Sequence, residues 1–310
     1  MLRKSLLYLS EQPRIFKFVR NNRLAKRFAS RFVAGETLEE ALHAVQGLNR
    51  KGITASLDLL GESVHNEAEA REAGRAYLRI LDRIEQRKLD ANVSVKLTAM
   101  GLDIGEDLCM EVMHEIVARA RACRSFVRID MEGSKYTEQT LRLFEQHLYP
   151  VYPESVGVVL QSYLYRTQQD VERAIQLRWR VRLCKGAYQE PPAVAYPDKK
   201  DVDESYVRCM HMLMRDGNYP GLATHDERII TEATRFAREQ GVASDRYEFQ
   251  MLYGVRRDLQ ERLVRLGYRM RVYVPFGTQW YPYLMRRLAE RPANVAFITG
   301  NVLREMVGRR

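Results

Sequence analysis

No run of about 18 consecutive apolar residues occurs in this 310-residue chain, so no segment is built to span a membrane as a helix. No secretory signal with an apolar core and a cleavage site stands out. Cys109, Cys123, Cys184 and Cys209 form no Cys-x-x-Cys pair and no metal-ligand spacing. That argues against a disulfide framework and a bound metal, and for reduced thiols in a cytosolic or matrix compartment. Low-complexity segments and linkers rich in Pro, Gly or Ser are missing. The Gly-x-Gly-x-x-Gly turn of an open dinucleotide-binding sheet is missing too, because the first β-like run ends in Leu-Leu-Gly-Glu-Ser-Val. Acids are scarce in one place: residues 1–35 hold Glu11 alone against many Arg and Lys.

That basic stretch is set apart as an N-terminal helical segment, with residues 36–310 as the catalytic domain. Leu6, Leu7, Ile15, Phe16, Phe18, Val19, Phe28 and Phe32 give the segment an apolar face. A solvated helical face, a membrane-surface helix and an organelle transit peptide all fit it. The whole chain carries 50 Lys and Arg against 40 Asp and Glu. Beyond the N-terminal stretch the basic residues are interspersed with acids, which weighs against a nucleic-acid-binding scaffold. A hydrophobic fraction of 45% supplies a large core.

Regular alternation organises the rest. Thr37 and Glu40 form a capping-box pattern, and a helix is expected from there to about Leu48. Eight short runs follow, each apolar or β-branched at its start and polar or Gly-rich at its end: ITASLDLLGE, NVSVKLTAMG, SFVRIDMEG, VGVVLQSYL, RVRLCKGAY, GLATHD, YEFQMLYG and RMRVYVPFG. Amphipathic stretches separate them. In one, Ala70, Ala73, Tyr77, Ile80, Leu81 and Ile84 recur at helical spacing. Eight strands alternating with helices point to an α/β fold with a parallel sheet closed into a (β/α)8 barrel of the TIM type.

A barrel works at the C-terminal ends of its strands. Those ends carry Lys96; Asp130, Met131 and Glu132; Gln161; Arg182, Lys185, Gly186, Ala187 and Tyr188; Thr224, His225 and Asp226; Gln250 and Leu252; and Tyr273. Charged groups inside short apolar strands are costly unless paired. Any one of them reads equally well as a structural ion pair, but four strands doing this at matching positions favour a polar pocket. In the last helical pattern Tyr283, Arg286, Arg287 and Glu290 share one face. Adjacent arginines are usually a solvated pair. Beside Lys96 they would make a cationic clamp suited to a carboxylate. The Lys-Gly-Ala turn after the fifth strand would let backbone N–H groups approach a phosphate or ring edge, with Arg182 and Lys185 adding charge. A Schiff-base aldolase using Lys96 or Lys185 is the rival enzyme on this frame.

Taken together and in order, SLDLLGE, VSVKLT, RIDMEG, LQSYLYR, RLCKGAY, ATHD, EFQMLYG and RVYVPFGTQWYPYLMRRLAE resemble the proline dehydrogenase family, in its short monofunctional bacterial form. The resemblance spans Phe32 to Ile298. It implies a distorted barrel with extra N-terminal helices, non-covalent FAD, and oxidation of L-proline to Δ1-pyrroline-5-carboxylate, the first step of proline catabolism to glutamate. Electrons would pass to a quinone, from a cytoplasmic protein in peripheral contact with the inner face of the membrane. Residue by residue, it implies Asp130 and Arg182 as catalytic, and Lys96, Tyr188, Leu252, Tyr273, Tyr283, Arg286 and Arg287 around the substrate. Met131, Val159, Gln161, Arg182, Lys185, Gly186, Ala187, Thr224, His225 and Gln250 would meet the flavin. Glu62 would pair with Arg286 as a gate. The stretch before the arginine pair is shorter than in the long bifunctional enzymes and carries Trp280 and Pro282.

Overall fold

A computed structural model describes residues 29–61 and 64–290; from position 286 on, only the backbone of the last helix is described. Residues 1–28 of the basic segment, and Glu62, therefore lie outside the described residues, and so do the side chains of Arg286 and Arg287.

Eight parallel strands close into a barrel in chain order, with the eighth paired to the first. They are β1 (Thr54–Leu59), β2 (Ala91–Val95), β3 (Val127–Ile129), β4 (Val156–Gln161), β5 (Val181–Cys184), β6 (Gly221–Ala223), β7 (Glu248–Leu252) and β8 (Met270–Phe276). Seven fall within the expected runs, and β2 starts one residue before its run, at Ala91. Their lengths run from three residues in β3 and β6 to seven in β8, so the barrel is uneven. Helix α1 (Leu38–Asn49) precedes β1. Helices α2 (Glu67–Gln86), α3 (Glu106–Ala122), α4 (Thr137–Leu143), α5 (Thr167–Gln176), α6 (Lys199–Asp216), α7 (Glu227–Glu239) and α8 (Arg257–Arg265) connect the strands, and α9 (Trp280–Glu290) follows β8. No described helix is long and apolar enough to cross a membrane.

Local chemistry sets the helix starts. The Thr37 hydroxyl accepts the Glu40 N–H while the Glu40 carboxylate accepts the Thr37 N–H, the reciprocal pair of a capping box. In α2, Ala70, Tyr77, Ile80, Leu81 and Ile84 are buried as their spacing predicts. Ala73 is only half-buried, and Gly74 takes the buried place instead. The reason is close packing with α3: a Cβ at Gly74 would lie 2.6 Å from Val112 Cγ1. Tyr77 then pins α2 to the barrel, its hydroxyl donating to the Ser94 carbonyl at 2.8 Å.

Successive side chains on a strand face opposite ways. The outward set, including Ala55, Leu57, Val93, Val95, Ile129, Val158, Leu183, Leu222, Phe249 and Val272, is fully buried under the helices. Each such Leu, Ile, Val or Phe contributes about 1.5–3 kcal/mol by leaving water. The inward set is different. Ser56, Ser94, Arg182 and Gln250 are also buried, yet they bond to one another across the barrel rather than to the helices. Two inward glycines make room for the long polar chains. A Cβ at Gly221 would lie 2.4 Å from Gln250 Nε2, and one at Gly157 would lie 2.6 Å from Arg128 Nη1.

The expected apolar face of the basic segment needs one correction. Phe32 is buried with Ala29, Val33, Leu60, Trp280 and Tyr283 in a cluster that seats α9 against the chain before α1. Trp280 opens α9 and donates through Nε1 to Glu36 at 3.1 Å. Pro282 sits in the first turn, where its missing N–H would have had no helical partner.

Candidate active site

Arg182, halfway along β5, crosses the barrel interior. Its Nη1 meets Asp130 Oδ1 at 2.7 Å and Ser94 Oγ at 3.1 Å, and its Nε donates to Gln250 Oε1 at 2.5 Å. The guanidinium lies over the Tyr273 ring, 5.3 Å from its centroid. Asp130 uses its other oxygen to accept the Tyr273 hydroxyl at 2.7 Å. One carboxylate thus holds both the arginine and the phenol, which rigidifies the floor of the site. Burial, and then the charge of Asp130, raise the Tyr273 phenol well above its ordinary range, so it stays a hydrogen-bond donor.

Beneath this floor the network continues. Gln250 Nε2 donates to Glu248 Oε1 at 2.6 Å, and Arg271 Nε pairs with the same carboxylate at 2.8 Å. Burial alone would raise the Glu248 carboxyl, but the charge and hydrogen bonds of Arg271 hold it below the ordinary range. The Glu248 carboxylate can only accept and the Arg182 guanidinium can only donate, so the Gln250 amide is fixed with Nε2 toward Glu248 and its oxygen toward Arg182.

Lys96, just past β2, pairs with Asp58 of β1 at 3.1 Å, and both side chains are buried. Burial pushes the Asp58 carboxyl up, against the pull of the Lys96 charge downward.

Above the floor opens a cavity of about 510 Å³. Its wall brings together Lys96, Asp130, Met131, Val159, Gln161, Arg182, Lys185, Gly186, Ala187, Tyr188, Thr224, His225, Gln250, Leu252, Tyr273 and Tyr283. Apart from Glu132, every candidate position whose side chain is described therefore meets in one place. Arg286 and Arg287 belong to α9, three and four residues on from Tyr283, and Glu62 precedes α2; nothing further is described of their side chains. Asp58, Cys184, Lys199, Ala223 and Met251 also line the cavity, and the strand-end reading passed over them. Asp58 had a signal: it follows Ser56 by two residues, the inward period of β1, and faces Lys96. Lys199 had none, since it is brought back by a long loop from β5.

Several polar groups have specific duties. Gln161 Nε2 donates to the Glu132 carbonyl at 3.3 Å, while its buried Oε1 has no hydrogen-bond donor among the described residues. His225 Nε2 accepts the Leu252 N–H at 2.9 Å, which leaves the ring proton on Nδ1. Glu132 turns away from the cavity and binds the Thr98 hydroxyl at 2.6 Å, tying the end of β3 to the turn after β2. Lys185 is not an idle cation: Asp203 and Asp226 hold it at 2.6 and 3.2 Å. Burial would raise both carboxyls, but their bonds to Lys185 keep each below the ordinary aspartate range. Arg182 lies inside the barrel rather than beside Lys185 at the loop. No group of three or more metal-ligating side chains occurs among the described residues.

A closed eight-strand barrel with its polar cavity at the strand C-termini defines a (β/α)8-barrel enzyme. A family model described as proline dehydrogenase matches residues 41–300. The chain is 42% identical to a proline dehydrogenase of Deinococcus radiodurans, over 98% of each chain, and 40% identical to proline dehydrogenase 1 of Bacillus subtilis strain 168, over 98% of this chain and all of the other. Among solved structures, proline utilization A from Bdellovibrio bacteriovorus, inactivated by N-propargylglycine, matches 89% of this chain with a TM-score of 0.81 and 25% identity. This chain spans 34% of the length of that protein. The chain belongs to the proline dehydrogenase family, in a form much shorter than the bifunctional proteins, and is an oxidoreductase. That assignment displaces the Schiff-base aldolase, whose two candidate lysines are both ion-paired to carboxylates.

Proposed function

We propose that the chain oxidises L-proline to Δ1-pyrroline-5-carboxylate with FAD, the opening step of proline catabolism to glutamate, and passes the electrons to a quinone. The observation that carries this reading is a juxtaposition in one cavity wall. Lys96, already paired with Asp58, would add a hydrogen bond to a substrate carboxylate, and Gln161 offers a buried acceptor with no donor among the described residues. A flavin ring edge presents an N–H that would satisfy such an acceptor, and an unmet buried acceptor is otherwise costly.

The donor set fits the rest of the cofactor. Met131, Val159 and Ala187 would flank the ring, with Gln250 and Arg182 at its edge, and Thr224, His225, Lys185 and the Gly186 backbone would meet the ribityl chain and phosphates. FAD, when bound, supplies the hydride acceptor. Arg182 would place positive charge where reduction adds negative charge. Lys96, Arg286 and Arg287 would bind the carboxylate of proline, and Tyr188, Leu252, Tyr273 and Tyr283 would wall its ring, so that the substrate is held in one orientation. Asp58 and Asp130 are engaged by Lys96 and by Arg182 with Tyr273, so proline would bind with its amine already neutral. Glu62 would close the pocket by pairing with Arg286. A quinone acceptor would bring the protein to the membrane surface, and the basic residues before position 29 are the segment suited to that contact.

Arg287→Met tests the clamp. The variant should keep its flavin colour and lose about 10- to 200-fold in kcat/KM for L-proline, the effect of one charge-assisted hydrogen bond. Full activity would remove Arg287 from the substrate site.

A further inference from the structure

Three segments singled out by sequence meet at one carboxylate. Glu190 lies in the loop that carries Gly186, Ala187 and Tyr188 over the cavity. It accepts the Ser134 N–H at 2.8 Å and the Tyr163 hydroxyl at 3.2 Å, and also takes the Ser134 hydroxyl. Ser134 follows the end of β3 and Tyr163 follows β4, so a single side chain joins three neighbouring strand ends.

The loop from β5 to α6 is anchored on both sides of this point. On the near side the Tyr163 N–H donates to the Lys185 carbonyl at 3.0 Å. Gly186, at φ +106°, rests on the Tyr163 ring so closely that a Cβ would lie 2.5 Å from it. On the far side Ala195 forms an antiparallel bridge with Leu164, and the Tyr165 N–H donates to the Val194 carbonyl at 3.1 Å. Residues 187–191 arch between these anchors, and Tyr188 in that arch lines the cavity. An unsupported five-residue arch would sample many conformations, and fixing them costs conformational entropy. Three hydrogen bonds to one ionisable side chain in the arch offset that cost before any ligand arrives.

We propose that Glu190 is a positioning residue, which holds Tyr188 and the Ala187 backbone in the conformation that receives the substrate. The inference rests on the proline-oxidising reading for what Tyr188 touches, but not for the latch itself. The test therefore has two readouts on the purified, flavin-loaded protein. Limited chymotrypsin digestion reports cleavage after Tyr188, and steady-state kinetics report KM and kcat for L-proline. Glu190→Ala should be cut at least about tenfold faster after Tyr188, because cleavage tracks the population of the open loop. It should also show about a tenfold higher KM with kcat little changed, the pattern of lost substrate organisation rather than lost chemistry. Glu190→Gln keeps an oxygen for the Ser134 N–H and should stay near the parent in both. An unchanged cleavage rate in Glu190→Ala overturns the latch. Faster cleavage with KM unchanged overturns the positioning role. If the parent protein does not oxidise L-proline at all, it is the functional reading that falls, while the digestion still decides the latch.

Discussion

Arg182→Met should produce the largest single loss, in two independent measurements. The guanidinium is buried and holds Asp130, Gln250 and Ser94 together. Methionine fills similar volume but leaves Asp130 buried without its guanidinium partner. Removing one member of such a pair costs about 3–5 kcal/mol of stability. The urea midpoint should fall accordingly, with an unchanged denaturant slope. The second measurement is the potential of the bound flavin, which should become more negative without the positive charge beside the ring. A variant with the parent's stability would mean that the interior network contributes little. A variant with the parent's potential would take Arg182 away from the flavin.

Lys96→Met should separate substrate binding from the flavin. Its kcat/KM for L-proline should fall about 10- to 200-fold through loss of a charge-assisted contact. A pH effect accompanies this. Burial already raises the Asp58 carboxyl, and the methionine variant removes the Lys96 charge that opposes the rise. The folded variant then holds a proton that the unfolded chain, titrating at about 3.9, releases. A raised carboxyl means stability that is highest at low pH and declines as pH rises above the unfolded value, through the folded one. Urea midpoints of the variant should therefore fall between acid and neutral pH more steeply than those of the parent. A variant as stable at neutral pH as in acid would show that Asp58 does not depend on Lys96.

Much of the fold was written locally. Each strand matched a run whose start was apolar and whose end was polar, because the outward face must pack on helices while the C-terminal ends open into the cavity. The closed barrel followed from the number and alternation of those runs. What the runs hid was their inward side. Ser56, Asp58, Ser94, Arg128 and Glu248 sit between apolar neighbours and read as isolated polar residues. Only closure brings residues as distant as Ser56 and Arg182 within hydrogen-bonding range. Most strand-end groups are legible from the runs because a barrel brings them to one mouth, where all but Glu132 line the cavity. Asp58, one residue inside the end of β1, reads as part of the apolar run, and Lys199 is returned by a loop of irregular path. Phe32 shows the opposite error: an aromatic in a basic segment looked like part of a solvent or membrane face, yet α9 covers it.

The proposed role of this cavity is to bring L-proline against bound FAD. The most direct measurement is the visible absorption spectrum of the purified protein, recorded without oxygen before and after L-proline is added. A flavin band that bleaches on addition is expected. A protein that takes up no flavin, or a flavin band that L-proline leaves untouched, would contradict it.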